Sequence, residues 1–177
     1  MSETRDRRIN IGLLAGVAAF TLINVGIAMA HNWWDWHWHT GADVATMVHS
    51  GNQTEINAAL NDWDSHCDVS FPRSSTHTEM SVFGGNFGAT GWWGLASIED
   101  YSFDWWHKWN YSKINHCHAR FNQFYGGTNA DIQGVMCQEI GHCIGFDHSN
   151  DGCMGKGYFN NLNTTVAHNW SDCNARY

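Results

Sequence analysis

The chain has 177 residues with six cysteines, eleven tryptophans and one proline, and its formal net charge is −8 at pH 7. That length suits one domain with a core of its own. The negative balance excludes the basic footprint that nucleic acid or an anionic membrane surface would require.

Arg5, Arg7 and Arg8 precede an apolar run over residues 11–27, and Ala28-Met29-Ala30 fits the small-x-small pattern of a signal-peptidase site. Residues 1–30 therefore read as an export signal cleaved after Ala30, with an uncleaved membrane anchor as the competing reading. Cleavage would remove three arginines and two carboxylates, leaving six basic and 15 acidic residues, a formal −9. The expected mature protein is secreted, holds to no membrane and acts as a monomer.

Residues 31–42 form a His- and Trp-rich arm without clear periodicity, and residues 43–177 read as one folded domain. Residues 44–49 fit a first strand. Over 54–63, Ile56, Leu60 and Trp63 recur at helical spacing, with Thr54 placed as the N-cap. Residues 67–71 and 80–83 fit two further strands, the second broken by Gly84-Gly85, and residues 92–98 a third. Residues 113–124 alternate: His116, His118 and Arg120 on one face, Cys117, Ala119 and Phe121 on the other. A helix is expected over 129–144, starting near Asn129 or Asp131, and a short one over 164–175. Helices interleaved with several strands predict an α+β fold. The tryptophan clusters suit either core packing or an aromatic binding surface.

All six cysteines, Cys67, Cys117, Cys137, Cys143, Cys153 and Cys173, follow the export signal. An even count in that context reads as three disulfides, with fifteen pairings open. A cysteine-ligated zinc site is the alternative, and no C-x-x-C pair supports it.

The segment from Gln138 to His148 carries the chemistry. On a helix, Gln138 and His142 lie one turn apart on one face and could grip one cation. Glu139 beside them could take a proton from a water on that cation. Gly145 can adopt the left-handed conformation that ends a helix, so that His148 returns toward the same point.

This run resembles the metzincin signature H-E-x-x-H-x-x-G-x-x-H, with the matrixin-like ending Gly145, Asp147, His148 and Ser149. Cys137-Gln138-Glu139-Ile140-Gly141-His142 is similar to a subgroup of small bacterial matrixin-like proteins. The resemblance implies a zincin-like twisted mixed sheet with a backing helix and an active-site helix. It implies Zn2+ held by His142, His148 and Gln138, Glu139 as general base, and Met154 in a methionine turn beneath the ion. It implies a protein or peptide substrate, bound extended along the strand at 92–98. It also implies a Cys137–Cys153 disulfide, which leaves Cys67 with Cys117 and Cys143 with Cys173.

The departure is Gln138, where the family has a histidine. A neutral amide oxygen is a weaker zinc donor than imidazole. The expected activity is that of a secreted zinc endopeptidase. The alternatives are an inactive member of the fold that binds proteins or sugars and a disulfide-stabilised structural protein. His37 and His39 are candidates for the coordination position that Gln138 vacates, and His116 with His118 for a second metal site.

Overall fold

The structure, a computed structural model, describes residues 36–38, 43–76, 78–103, 112–156 and 162–177. The expected export signal and most of the arm, including His39, lie outside the described residues, as do the tryptophans at 33, 34, 105, 106 and 109.

The fold is α+β. Its strands are β1 (Trp36–His37), β2 (Thr46–Val48), β3 (Met80–Gly85), β4 (Gly94–Phe103) and β5 (Ser112–Asn122). Its helices are α1 (Gln53–Asp64), α2 (Asn129–Cys143) and α3 (Ala167–Arg176). β2, β3 and β5 lie side by side in parallel, with β3 registered to β5 from Met80↔Cys117 to Gly85↔Asn122. β4 runs antiparallel along the other edge of β5 and is slipped at Asp100. Among the described strands β4 pairs only with β5, so no described strand lies on its outer edge.

One face of the sheet is covered by helices. α1 presents Ile56, Ala59, Leu60 and Trp63, all fully buried, as its helical spacing requires. The Trp63 indole donates to the carbonyl of Cys137 in α2 at 2.9 Å and stacks on Phe146 at 5.8 Å, so a single side chain spans both helices and the turn beyond. The alternate residues Cys117, Ala119 and Phe121 of β5 face the same core. Among the described residues no helix is long and apolar enough to cross a membrane.

Several expectations need correction. The N-cap of α1 is Asn52, at φ 50° and with no side-chain cap bond, so Thr54 lies inside the helix. Residues 67–71 form no strand; Ser70 and Arg73 make isolated bridges to Asp43 and Thr46. Asp64 takes the Phe71 N–H there, and Pro72 has none to offer a neighbouring strand. β3 runs through Gly84-Gly85 instead of breaking, because a bare Gly84 lets the backbone of Gly51 approach closely. The arm is structured where it is described: Trp36–His37 joins β5, and buried Trp38 donates its indole N–H to the Cys143 carbonyl at 2.8 Å. Tyr177 fastens the same place, accepting from Trp38 N–H at 3.2 Å and donating to the Ile144 carbonyl at 2.7 Å.

The cysteines pair as Cys137–Cys153, Cys117–Cys143 and Cys67–Cys173, with Cα atoms 5.6 to 5.8 Å apart. The pairings of Cys67 with Cys117 and of Cys143 with Cys173 are thus overturned. Cys117 sits on the helix-facing side of β5, opposite the last residue of α2. Cys67, just past α1, meets α3, where Asn174 bonds both Asp68 N–H and the His66 carbonyl.

Candidate active site

The site is built on the C-terminal half of α2. That helix starts from a capping box, with the Thr128 hydroxyl accepting from Asp131 N–H and the Asp131 carboxylate accepting from Thr128 N–H at 2.8 Å. Thr128, rather than Asn129 or Asp131 alone, therefore sets the start. The helix ends after Cys143, and Gly145 follows at φ +85°, the left-handed conformation expected of it. The Phe146 N–H then bonds back to the Gly141 carbonyl at 3.0 Å, which turns the chain toward the helix it has just left.

That turn brings His142 and His148 together. Their ring centres are 4.8 Å apart, with planes at 82°. His142 Nδ1 donates to the Phe146 carbonyl at 2.7 Å, which fixes the proton on that nitrogen. Burial holds the His142 ring down at about 4, with the Phe146 hydrogen bond opposing, so the imidazole is neutral at neutral pH. His148 is more open, its side chain 43% exposed, and its Nδ1 lies 3.5 Å from the Asp147 carboxylate.

Beneath the helix, Met154 is buried against Gly141, where a side chain on residue 141 would collide with its sulfur. Ser149 N–H donates to the Met154 carbonyl at 2.7 Å, so the His148 loop and the Met154 turn run side by side. The Cys137–Cys153 bond ties that turn to α2. Gln138 is buried, and its amide N–H donates to the Gly155 carbonyl at 3.2 Å. With its nitrogen so used, the amide oxygen is the atom left for a ligand role. Among the described residues no group of three or more His, Cys, Asp or Glu side chains could hold a metal ion. A cation here would rest on the two imidazoles and that amide oxygen.

Glu139 is 5% exposed and faces β4. Its carboxylate lies where a side chain on Gly94 would be, and it accepts the Ala96 N–H. Burial pushes the carboxyl up to about 8, the Ala96 hydrogen bond opposing. Gly94, Ala96, Phe146 and Gly155 thus shape the site, and sequence reasoning missed all four. A glycine opening the strand at residue 94 was the one visible hint; the others act through backbone atoms and leave no side-chain signature. His37 lies in β1, paired with Lys113.

No protein-family model matches the chain. No curated protein matches it. Two solved structures of myroilysin are similar to it. One, described as the crystal structure of myroilysin, has a TM-score of 0.42 at 12% identity, over 63% of this chain and 46% of that one. The other, described as the structure of myroilysin, has a TM-score of 0.43 at 10% identity, over 66% and 54%. The chain spans about half the length of these structures.

Proposed function

We propose that the chain is a secreted, zinc-dependent endopeptidase with a metzincin-type site. The observation that carries this reading is the His142–His148 pair, set beside a buried carboxylate on the same helix and below an open strand edge. Two imidazoles sharing one zinc at ~2.0–2.1 Å have ring centres about 5 Å apart. The observed 4.8 Å fits that spacing. His142 and His148 would hold the ion, with the amide oxygen of Gln138 as third donor and Met154 as the floor. When bound, zinc would polarise the scissile carbonyl and lower the pKa of a water.

The remaining work falls to the chain. The open edge of β4 would take an extended peptide as an added antiparallel strand. A substrate carbonyl would accept the Ala96 N–H that Glu139 now holds, and the carboxylate would be released. Glu139, kept ionised by the charge of a bound cation beside it, would then accept a proton from the attacking water and deliver it to the departing amine nitrogen. Three disulfides belong to an oxidising compartment, in keeping with secretion. The substrate would be protein or peptide, cleaved by a monomer, with neither nucleic acid nor membrane as partner.

The test is digestion of an unfolded protein such as casein by wild type and Glu139→Gln, with and without chelator. Wild type should cleave and lose activity with chelator. The variant should lose about 10²- to 10⁴-fold in rate, with zinc content and Tm unchanged. Gln138 supports one rival reading, an inactive binding protein of the same fold. One equivalent of zinc without cleavage of any peptide would establish that rival and end the peptidase proposal.

A further inference from the structure

On the other face of β5, opposite the helices, stands a second group of nitrogen donors. His116 Nε2 and His118 Nε2 are 2.9 Å apart. Two bare ring nitrogens repel at that distance, so a proton or a cation must lie between them. We propose that His116 and His118 form a two-histidine chelate for a late first-row divalent cation, taking Cu2+ most tightly, on the outer face of the sheet. It stands whether or not His142 and His148 hold zinc.

The spacing supports this directly. Neighbouring donors at right angles around an ion at ~2.0–2.1 Å lie about 2.9 Å apart. The outer nitrogens are arranged for the same purpose. His116 Nδ1 faces the Thr78 carbonyl at 3.2 Å. A carbonyl only accepts, so the proton sits on Nδ1 and the lone pair on Nε2. His118 Nδ1 faces the Glu99 carboxylate at 3.2 Å. A carbonyl or carboxylate behind the ring is the support that orients metal-bound histidines and raises their basicity.

Arg120 completes the device. Its guanidinium donates to Glu99 at 3.0 Å and to Ser97 Oγ at 2.6 Å, and it also reaches His118 Nδ1. Without an ion, Arg120 can donate to His118 Nδ1, and the His118 Nε2–H then bridges to His116. With an ion, Arg120 gives up its bond to His118 Nδ1 and keeps those to Glu99 and Ser97, the His118 proton sits on Nδ1 and is donated to the Glu99 carboxylate, and both Nε2 lone pairs face the cation. Phe83 meets His118 in a T-shaped contact with ring centres 5.1 Å apart. Since no third His, Cys, Asp or Glu among the described residues joins them, the chelate is bidentate and solvent completes the shell. Copper heads the affinity order of such nitrogen sites.

The experiment is Cu2+ titration of the full chain by calorimetry in three proteins: wild type, H116Q/H118Q and H142Q/H148Q. Wild type should bind one more equivalent than H116Q/H118Q, and H142Q/H148Q should retain that equivalent. Glu99→Gln should weaken it by about 10- to 100-fold. Equal stoichiometry in wild type and H116Q/H118Q overturns the proposal. Should H116Q/H118Q fail to fold, NMR of the wild-type imidazoles decides. Line broadening at His116 and His118 within the first equivalents supports the chelate, and sharp lines there through excess Cu2+ overturn it.

Discussion

Two pairs of histidines in this molecule reach almost the same ring arrangement on unlike backbones. His142 and His148 have ring centres 4.8 Å apart and planes at 82°; His116 and His118 have 4.8 Å and 81°. The first pair depends on a helix, a left-handed glycine and a returning loop pinned to the Met154 turn. The second needs only the pleat of one strand, which puts residues two apart on one face. Ring proximity is therefore easily reached, and the surroundings set the chemistry. The helix pair has a buried carboxylate beside it, which faces the β4 edge that no described strand pairs. The strand pair has an exposed carboxylate already shared with an arginine, which suits holding an ion and offers no base for hydrolysis.

The comparison can be broken most severely at the bond between Cys117 and Cys143, which joins β5 to the end of α2 and closes 26 residues of sequence. Cys117→Ala with Cys143→Ala should cost about 3 to 4 kcal/mol, read by urea denaturation. The helix pair should suffer more, because Cys143 is the last residue of its helix, while the strand pair keeps its sheet. Equal loss of metal binding at both pairs would refute the distinction drawn between their backbones.

A subtler cut is Gly94→Ala. A methyl there occupies the place of the Glu139 carboxylate. Displacement of a reacting group by about 1 Å can cost on the order of 10²-fold in rate. The expected result is a fall of that size in kcat with KM and zinc content little changed, and with Cu2+ binding at His116 and His118 untouched. Unchanged kcat would show that Glu139 does not need the space.

The smallest effect is at the exposed start of α2. Hydrogen bonds from Thr128 hold the Asp131 carboxyl below its ordinary value. A depressed carboxylate stabilises the fold above its unfolded pKa, and that contribution fades as pH falls through the lower folded value. Asp131→Asn should therefore lower Tm slightly at neutral pH and flatten the acid limb of the Tm–pH curve. Neither histidine pair should respond. A metal affinity that follows this substitution would mean that the cap, and not the turn at Gly145, controls the site.

Much of this was legible in the sequence, for reasons specific to each element. Glu139 and His142 could be read onto one helix because helical spacing is rigid, and Gly145 marked the stop, after which His148 returns beside His142, because its conformation suits few other residues. The β5 alternation separated the histidine face from the cysteine face because the strand period admits no other division. What stayed hidden depended on contacts between distant segments. The partners of Cys67 and Cys117 are set by where α3 and the end of α2 come to rest. Trp38 read as part of an unpatterned arm because its anchor, Tyr177, lies at the far end of the chain. Gly84-Gly85 looked like a break because the backbone of Gly51, which needs Gly84 bare, is invisible to local pattern.

Cys117 stands between His116 and His118, and Cys143 directly follows His142. One covalent tie thus runs through the sheet from one pair of rings to the other. At the bench, a thiol reductant added to protect the sample would sever that tie and compete for the cations as well. Metal measurements on either pair therefore belong in buffers free of thiols, where the two can be compared on an intact frame.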